Sequence, residues 1–365
     1  MQKKKLFIFL LTSIIFCCIF CFTACQNNIG QKTANEPENT VFICEHDYSD
    51  YIITDIDDIG YRKEYYCKKC HEEVSKVYIY TTNIEYALTA DKSGAYVKST
   101  SNLVDTEIVL RRAYNNRPLI KIADSAFKNC GHIKSVITPS SIVEIGDDAF
   151  SNCTSLINIE LQEGITKIGN NAFNNCNSLA NIKLPNSVME IGDNAFNGCC
   201  SLVNLVIPSN ITKIGIYAFN NCSSLLSVYW NAMECKQGSY LFSKSYNLLT
   251  IYIGKDVKHI PNYCFAKCNL NSVFFNENVL SIGNGAFENC DLRNIDIPNS
   301  VMSIGFGAFW ACPLESVSFS DTTTWFKTDS KSDWQNNRNG VQVDLTDIKT
   351  NAKYFSSDLC YWYKE

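Results

Sequence analysis

A hydrophobic pattern of fixed period runs through most of the chain after residue 126. Aligned on one phenylalanine, the unit reads L-x-x-I-x-L-P-x-S-V-x-x-I-G-x-x-A-F-x-N-C, as in Leu179–Cys199. The phenylalanine recurs at a spacing of 23 residues six times and then 22 residues twice: Phe127, Phe150, Phe173, Phe196, Phe219, Phe242, Phe265, Phe287 and Phe309. Such a period predicts a repeat solenoid of nine coils, in which each coil is covered by its neighbours.

Each coil of the solenoid is predicted to contain two extended segments and one helical turn. The apolar residues of Ile-x-Leu alternate inward along a short strand, Pro with Ser or Asn predicts a turn, and Val-x-x-Ile-Gly predicts a second inward-facing segment. Ala-Phe-x-x-Cys places Phe and Cys on one face of a helical turn. One copy, "YWNAMECKQGSYLF", lacks the Val-x-x-Ile pair, so we expect an irregular coil around Met233–Tyr240.

The cysteine of each coil is predicted to be a buried wall residue. Eight cysteines and one serine share this position: Cys130, Cys153, Cys176, Cys199, Cys222, Ser245, Cys268, Cys290 and Cys312. Free cysteine behaves as a small buried hydrophobe, and side chains in register point the same way, which favours unbonded thiols over disulfides or a row of metal ions. A buried hydroxyl would have no assured partner, so Cys176→Ser is expected to cost ~1–3 kcal/mol.

The repeat, for example "IGDNAFNGC", resembles the BspA-type leucine-rich repeats of bacteria over roughly residues 83–365. The resemblance implies a leucine-rich repeat fold with short parallel β-strands and helical turns in each coil of 22–23 residues. It also implies an N-terminal capping region at 83–125, repeats at 126–320 and a C-terminal cap at 321–365. Members of the family are mostly secreted or surface-attached, and several are implicated in adhesion.

The first 25 residues have the order of a secretory signal. Three lysines precede an apolar run from Leu6 to Phe22, and small residues precede Cys25. The ending "FTAC" resembles a bacterial lipobox, although Phe22 departs from the usual Leu, Val or Ile. The resemblance implies that Cys25 carries lipid, with polar residues 26–40 as a tether. The alternative is an uncleaved anchor helix, for which the run is short against the ~20 residues of a bilayer span.

Residues 41–82 contain two pairs of metal-type ligands. Cys44 and His46 are spaced C-x-H, and Cys67 and Cys70 are spaced C-x-x-C. Two such pairs on tight turns can supply the tetrahedron that structural zinc requires, and the stretch is similar to the small zinc-ribbon-like modules of Gram-positive surface proteins. His71 could replace one ligand. The alternative is a disulfide, Cys67–Cys70 or Cys44–Cys67, because the expected compartment permits oxidation.

Composition and motifs argue against two broad classes of function. A net charge of −5 disfavours a nucleic-acid-binding protein. Of the four histidines, two belong to the predicted zinc module, and His132 and His259 lie in repeat corners without a partner nucleophile and acid. No phosphate loop, nucleotide fingerprint or paired-carboxylate motif is present in the sequence. We interpret the Asp and Glu residues of the repeat as a solvent-exposed face. We therefore do not expect an enzyme.

One row of outward-facing residues, taken from the first strand of each coil, is the candidate binding surface. The residue between the two inward positions of each strand is charged or polar near the ends of the solenoid, as at Lys183 and Asp296. In four successive strands it is apolar or aromatic: Val206, Tyr229, Tyr252 and Phe274. These four residues, the aromatic ridge, are either cross-strand packing that stabilises the sheet or a patch that binds a partner.

These features together predict a non-enzymatic cell-surface binding protein, an adhesin or a protein-interaction scaffold. Its lipid anchor would hold it at the extracellular face of the cell membrane. The expected ligand is an extracellular protein or glycan. The alternative is an envelope component that binds cell-wall glycan or peptidoglycan.

Overall fold

The computed structural model of the chain describes two compact units that meet in sequence between Tyr80 and Thr81. The residues described are 50–57, 60–66, 73–235, 238–320 and 323–364. Five of the predicted site residues lie outside these ranges: Cys25, Cys44, His46, Cys67 and Cys70. The predicted signal segment and tether also lie outside them. Within the ranges described, none of the helices is both long and apolar enough for a membrane span.

The first unit contains a three-stranded antiparallel sheet in the order β1-β2-β3. The strands are β1 (Asp50–Asp57), β2 (Gly60–Tyr66) and β3 (Glu73–Ile79). Tyr51 pairs with Tyr65, and Tyr65 pairs in turn with Val74. Aromatic and β-branched residues favour such pairing.

The second unit is a β-solenoid of about ten turns. Its first ladder consists of the Leu-x-x-Ile-x-Leu segments, which pair in parallel and in register within three successive sheets. Its strands are β6 (Glu107–Val109), β9 (Ser135–Ile137), β11 (Asn158–Glu160), β14 (Asn204–Ile207), β16 (Ser227–Trp230), β17 (Thr250–Ile253), β19 (Ser272–Phe274), β21 (Asn294–Ile297) and β23 (Ser316–Phe319). Residues 180–184 occupy the corresponding segment between β11 and β14 but form no strand. Nine phenylalanines therefore separate ten passes of the chain.

A second ladder is built from the residues just before the Ile-Gly corners. It contains β8 (Arg117–Ile122), β10 (Glu144–Ile145), β12 (Lys167–Ile168), β13 (Glu190–Ile191), β15 (Lys213–Ile214), β18 (His259–Ile260), β20 (Ser281–Ile282) and β22 (Ser303–Ile304). Within the described part of the chain this ladder has no strand between β15 and β18, so it is split into two sheets. The split falls at the coil that lacks the Val-x-x-Ile pair, where the sequence predicts irregularity.

The third side of each coil is a turn, and the predicted helical turn is wrong. The residues two before and two after each phenylalanine have left-handed backbones, as at Asn171 (φ 52°) and Asn175 (φ 58°). Alternate N–H groups point along the solenoid: Phe173 N donates to Ala195 O at 2.7 Å, and Asn175 N donates to Asn197 O at 2.8 Å. A helix would direct these donors back along its own chain. Hydrogen bonds between coils replace helical ones, and Asn supplies the left-handed residue.

The phenylalanines of the turns form one continuous buried stack. All nine side chains are almost completely buried, and successive ring centroids lie 5.0–5.9 Å apart with nearly parallel planes. Stacked aromatic pairs contribute roughly 0.5–1.5 kcal/mol beyond the burial of their area. The stack therefore links every coil to the next.

Each Ile-Gly corner is held by a contact that composition alone does not reveal. A Cβ atom at Gly169 would lie 2.7 Å from Asp147 N, so the coils approach too closely for any side chain. The Asp147 carboxylate accepts a hydrogen bond from Asn170 N at 2.8 Å, and Asn170 Oδ1 accepts one from Asp193 N at 2.8 Å. The aspartates that follow Ile-Gly are therefore more than a solvated face, because they join neighbouring coils.

The buried thiols of the described residues form no disulfide, and six of them have a hydrogen-bond partner in the preceding coil. The Sγ of six cysteines donates to the carbonyl of the preceding coil's phenylalanine at 3.0–3.4 Å: Cys153, Cys176, Cys199, Cys222, Cys290 and Cys312. Ser245 Oγ donates to Phe219 O at 3.1 Å in the same way. A hydroxyl at this position therefore has a partner, contrary to the expectation from sequence. Cys130, in the first coil, is only half-buried.

Both ends of the solenoid are covered by antiparallel strands. At the start, β4 (Ile84–Leu88) pairs with β5 (Ala95–Thr100) in antiparallel fashion. Strand β5 pairs in turn with β8 in parallel, and β7 (Ala113–Tyr114) also pairs with β8. The end contains β24 (Trp325–Thr328), α1 (Lys331–Gln335), β25 (Val341–Val343), α2 (Ile348–Ser357) and β26 (Tyr361–Lys364). β26 pairs with β22, and Ser356 O accepts the Ala311 N–H of the last turn at 2.9 Å. The cap thus satisfies donors that the last coil leaves open.

Candidate interaction surface

The four residues of the aromatic ridge lie in strict register on neighbouring strands. Val206 in β14 pairs with Tyr229 in β16, Tyr229 with Tyr252 in β17, and Tyr252 with Phe274 in β19. Because the strands are parallel and unshifted, residues one coil apart in sequence lie side by side. The ridge therefore runs along the axis of the solenoid.

Strand alternation turns the ridge toward solvent. In β14, Leu205 and Ile207 are completely buried, whereas Val206 between them is 53% exposed. The other three ridge side chains are 45% (Tyr229), 36% (Tyr252) and 54% (Phe274) exposed. An outward-facing apolar row of this kind adds nothing to the core on the inner face of the same strands.

The ridge rings stack face to face on one another. The Tyr229 and Tyr252 centroids are 4.7 Å apart with an interplanar angle of 12°, and the Tyr252 and Phe274 centroids are 5.1 Å apart with an angle of 8°. Tyr252 consequently has a ring against each of its faces. The rings present their edges, and the tyrosines their hydroxyl groups, to an approaching partner.

The charged residues that precede and follow the ridge in the outward-facing row, Lys183 and Asp296, lie outside the ridge sheet. Lys183 belongs to residues 180–184, which form no strand, and Asp296 belongs to β21, in a different sheet. Both side chains are exposed. The Asp296 carboxylate accepts a hydrogen bond from the Ser318 hydroxyl. The apolar row is therefore bounded by charged positions at both ends.

A groove of about 540 Å³ borders the ridge at Val206. It lies where residues 180–184 interrupt the first ladder, and it continues along the carboxyl ends of β14, β16 and β17. Its polar lining includes Glu163, Lys183, Asn186, Asn231, Lys255 and Asp256. Apart from Lys183, none of these residues was singled out by the sequence pattern. Their positions in the repeat could have located them, since Asn231 directly follows a strand of the first ladder and Asn186 lies in a Pro-Asn-Ser turn.

The described residues contain no assembled catalytic or metal centre. His259 Nδ1 lies 2.8 Å from Ser281 Oγ, but the two side chains occupy matching exposed positions on paired strands β18 and β20, as Lys167 and Glu144 do on β12 and β10. The contact between His259 and Ser281 is therefore a cross-strand pair of the second ladder and not part of a catalytic site. Among the same residues, no group of three or more His, Cys, Asp or Glu side chains could hold a metal ion.

Burial disfavours the thiolate form of the wall cysteines that lie in the core. It raises the pKa of Cys153 to about 12, and it raises the pKa values of Cys176 and Cys199 well above the ordinary range, because a buried thiolate loses its solvation. Since the thiolate is the nucleophile and the metal ligand, these cysteines serve as wall residues.

Comparison with known proteins identifies the repeat. The sequence model of the BspA-type leucine-rich repeat region matches residues 114–226, 143–270 and 258–359, which together exceed half of the chain. The chain belongs to the BspA-type leucine-rich repeat family. This confirms the resemblance seen in the sequence. Proteins of the family are generally non-enzymatic, and leucine-rich repeat proteins generally mediate protein–protein interactions.

Solved structures with related sequences are bacterial repeat proteins. A leucine-rich repeat protein from Bacteroides ovatus is 29% identical with a TM-score of 0.53; the match covers 66% of this chain and 64%, less than two thirds, of that chain. The leucine-rich repeat protein of T. pallidum is 33% identical with a TM-score of 0.47, covering 50% of this BspA-type chain and 83% of its own.

A leucine-rich cell surface protein from Faecalibacterium prausnitzii is 20% identical with a TM-score of 0.29, and the match covers 72% of this chain and 98% of that one. No curated protein matches the chain.

Proposed function

We propose that this BspA-type chain is a non-enzymatic cell-surface binding protein, an adhesin or interaction scaffold, that contacts an extracellular protein through the aromatic ridge. The observation that supports this most is the in-register exposure of four apolar side chains on a rigid sheet. Exposed contiguous aromatic residues are typical of interaction sites, and rigid aromatic side chains lose little conformational entropy when they are covered.

The stacking of the rings favours a protein partner over a sugar at the ridge. Carbohydrate rings usually bind by lying against the face of an aromatic ring. At Tyr252 both faces are covered by neighbouring rings, so only edges and hydroxyl groups remain. Ring edges suit apolar side chains and edge-to-face aromatic contacts, which a protein surface supplies.

A triple variant at Tyr229, Tyr252 and Phe274 tests the role of the ridge. Serine at all three positions should abolish adhesion to host matrix proteins, since truncating central aromatic contacts commonly costs about 2 kcal/mol or more each. The matched control replaces three exposed apolar side chains beside the second ladder with serine: Met189, Leu280 and Met302. If the two variants bind equally well, the ridge is cross-strand packing and the proposal fails.

The proposal includes display at the outer face of the membrane through lipid on Cys25. The order of charge, apolar run and "FTAC" supports this part. Cys25→Ala should release the protein into the medium or leave it unprocessed. Normal membrane retention with an unchanged mature mass would contradict the anchor.

The proposal also includes a structural zinc ion held by Cys44, His46, Cys67 and Cys70. The support is the spacing of the ligands, with Cys67 and Cys70 falling in sequence between the paired strands β2 and β3. Four protein ligands leave no open position for a reactive water. The role of the ion would therefore be to stabilise the small first unit.

A second candidate function, binding of cell-wall glycan or peptidoglycan, is favoured by the groove rather than by the ridge. Its amide and charged side chains offer the polar groups that sugar hydroxyls need. Replacing Asn186 and Asn231 by leucine should abolish co-sedimentation with isolated peptidoglycan if this candidate is correct. Retention of peptidoglycan by that variant would remove the candidate.

A further inference from the structure

A second aromatic row, partly exposed to solvent, lies on the turn side of the solenoid, away from the strands that carry the ridge. Tyr217, Tyr240 and Tyr263 occupy the same position in three successive coils, two residues before the buried phenylalanine. Their rings stack at centroid distances of 6.1 and 5.5 Å. The Tyr263 ring lies across Gly285, where a Cβ atom would collide with it. The row therefore fits the backbone of the next coil.

The backbone at these positions disfavours tyrosine. The φ angles of Tyr217, Tyr240 and Tyr263 are 58°, 54° and 53°, in the left-handed region. A bulky residue there is strained, whereas Gly, Asn and Asp are accepted readily. The other six coils hold such residues or serine at the same position: Ser125, Asp148, Asn171, Asn194, Gly285 and Gly307.

Two lysines beside the tyrosines share this strain. Lys244 and Lys267 lie two residues after the phenylalanine, with φ angles of 59° and 62°, where six of the other seven coils have Asn or Gly. The Lys267 ammonium lies 4.8 Å from the centre of the Tyr240 ring and 4.0 Å from the Glu288 carboxylate. Strained residues at a surface point to a role beyond folding.

We propose that Tyr217, Tyr240, Tyr263, Lys244 and Lys267, the tyrosine edge, form a second interaction surface that binds an acidic protein segment. Lys244 and Lys267 occupy matching positions one coil apart, where like charges destabilise each other, and the Glu288 carboxylate, 4.0 Å from the Lys267 ammonium, offsets only one of the two charges. Carboxylates of a partner would neutralise the remaining positive charge, and the tyrosine hydroxyls would donate hydrogen bonds to them. Burial raises the pKa of Tyr240, which keeps its hydroxyl protonated.

The chemistry of the edge distinguishes its partner from other occupants. Tyr240 has a ring on each side, so its faces are not free for a sugar ring. The matching positions in the first four coils carry no lysine and include Asp148. The cationic character is therefore local to the tyrosine edge, and it complements a carboxylate-rich segment. This surface requires no contribution from the ridge.

Fluorescence polarisation with the full chain tests the proposal. The probe is a fluorescein-labelled peptide of alternating glutamate and leucine, with a lysine-leucine peptide as comparator. We expect the acidic peptide to bind, and to bind more weakly as salt is added. The triple variant Tyr217→Asn, Tyr240→Asn and Tyr263→Asn should weaken binding by about tenfold or more, as the loss of central aromatic contacts does.

Asparagine is native at this position in other coils, so the variant should fold and its melting temperature should stay within about 4 °C of the parent. Lys244→Asn with Lys267→Asn should remove most of the salt dependence. The serine variant of the ridge should bind the peptide normally.

Three outcomes would overturn the proposal: no binding of the acidic peptide by the parent chain, equal binding of the basic peptide, or unchanged binding by the tyrosine variant. Self-association of the chain in sedimentation velocity that the tyrosine variant abolishes would instead assign the edge to a second copy.

Discussion

The thiol row offers a direct test of what fixes the wall of the solenoid. Cys176 is completely buried, and its Sγ donates to Phe150 O at 3.2 Å. Two substitutions separate the two contributions of this side chain. Alanine removes both the sulfur and the hydrogen bond, whereas serine removes the sulfur but keeps a donor, as Ser245 does naturally.

The expected magnitudes follow from those losses. Removing one buried heavy atom costs roughly 1 kcal/mol of transfer free energy, and a lost hydrogen bond adds about 0.5–1.5 kcal/mol. Cys176→Ala should therefore lower the free energy of unfolding by about 1.5–2.5 kcal/mol. Cys176→Ser keeps the bond to Phe150 O and should cost about 0–1 kcal/mol.

Urea denaturation followed by circular dichroism measures both values, provided the slope against denaturant is unchanged. The reverse substitution, Ser245→Cys, serves as the matched control and should be close to neutral. Ser245→Ala should be costly, because Ser245 Oγ also accepts the Cys222 N–H at 3.1 Å. A serine variant at 176 that is less stable than the alanine variant would refute the claim that the carbonyl partner governs this position.

Three further predictions concern pH, backbone approach and metal. The native pKa of Cys153 is about 12 against an ordinary 9.0, so above pH 9 the unfolded chain loses protons that the native chain retains. The free energy of unfolding should therefore fall between pH 9 and 12 by up to about 1.4 kcal/mol per pH unit for each such thiol. Urea denaturation across this range should show a shallower fall in variants with fewer buried thiols. Gly192→Ala should cost about 1–3 kcal/mol, because its Cβ would lie 2.5 Å from Asn170 N, whereas Gly131→Ala, whose Cβ would have a nearest neighbour at 3.1 Å, should be tolerated in the same assay. Chelation of the full chain prepared under reducing conditions should release one zinc ion, measured by mass spectrometry, and leave the melting of the solenoid unchanged; protein without zinc would contradict the predicted site.

The periodic part of the fold could be predicted because its signal is repeated. Nine phenylalanines at nearly constant spacing establish the coil, and the inward alternation around Val206 and Tyr229 locates the exposed row. The turn could not be predicted in the same way, because Phe and Cys three residues apart suit a helix as well as a left-handed turn. The informative residue was the Asn of A-F-x-N-C, whose tolerance of positive φ separates the two.

Other features depend on contacts between coils that no single coil reveals. The Ser245 hydroxyl looks unpartnered until Phe219 O of the preceding coil is in place. Asp147 looks solvated until Asn170 N approaches it. The tyrosine at 240 looks like any surface aromatic until its backbone is known to be left-handed.

The gap in the second ladder has a consequence for how the solenoid responds to force and to thermal opening. In a stack of coils, each coil is coupled to its neighbours alone, and the free energy of each interface sets how far an opening spreads. Among the described residues between β15 and β18, that coupling rests on the first ladder and the phenylalanine stack, without the second ladder. This coil is therefore a weakly coupled position in the solenoid, in addition to the interruptions of the first ladder between β11 and β14 and between β19 and β21. We expect an opening that begins at one cap to slow at such positions, and the ridge spans this one.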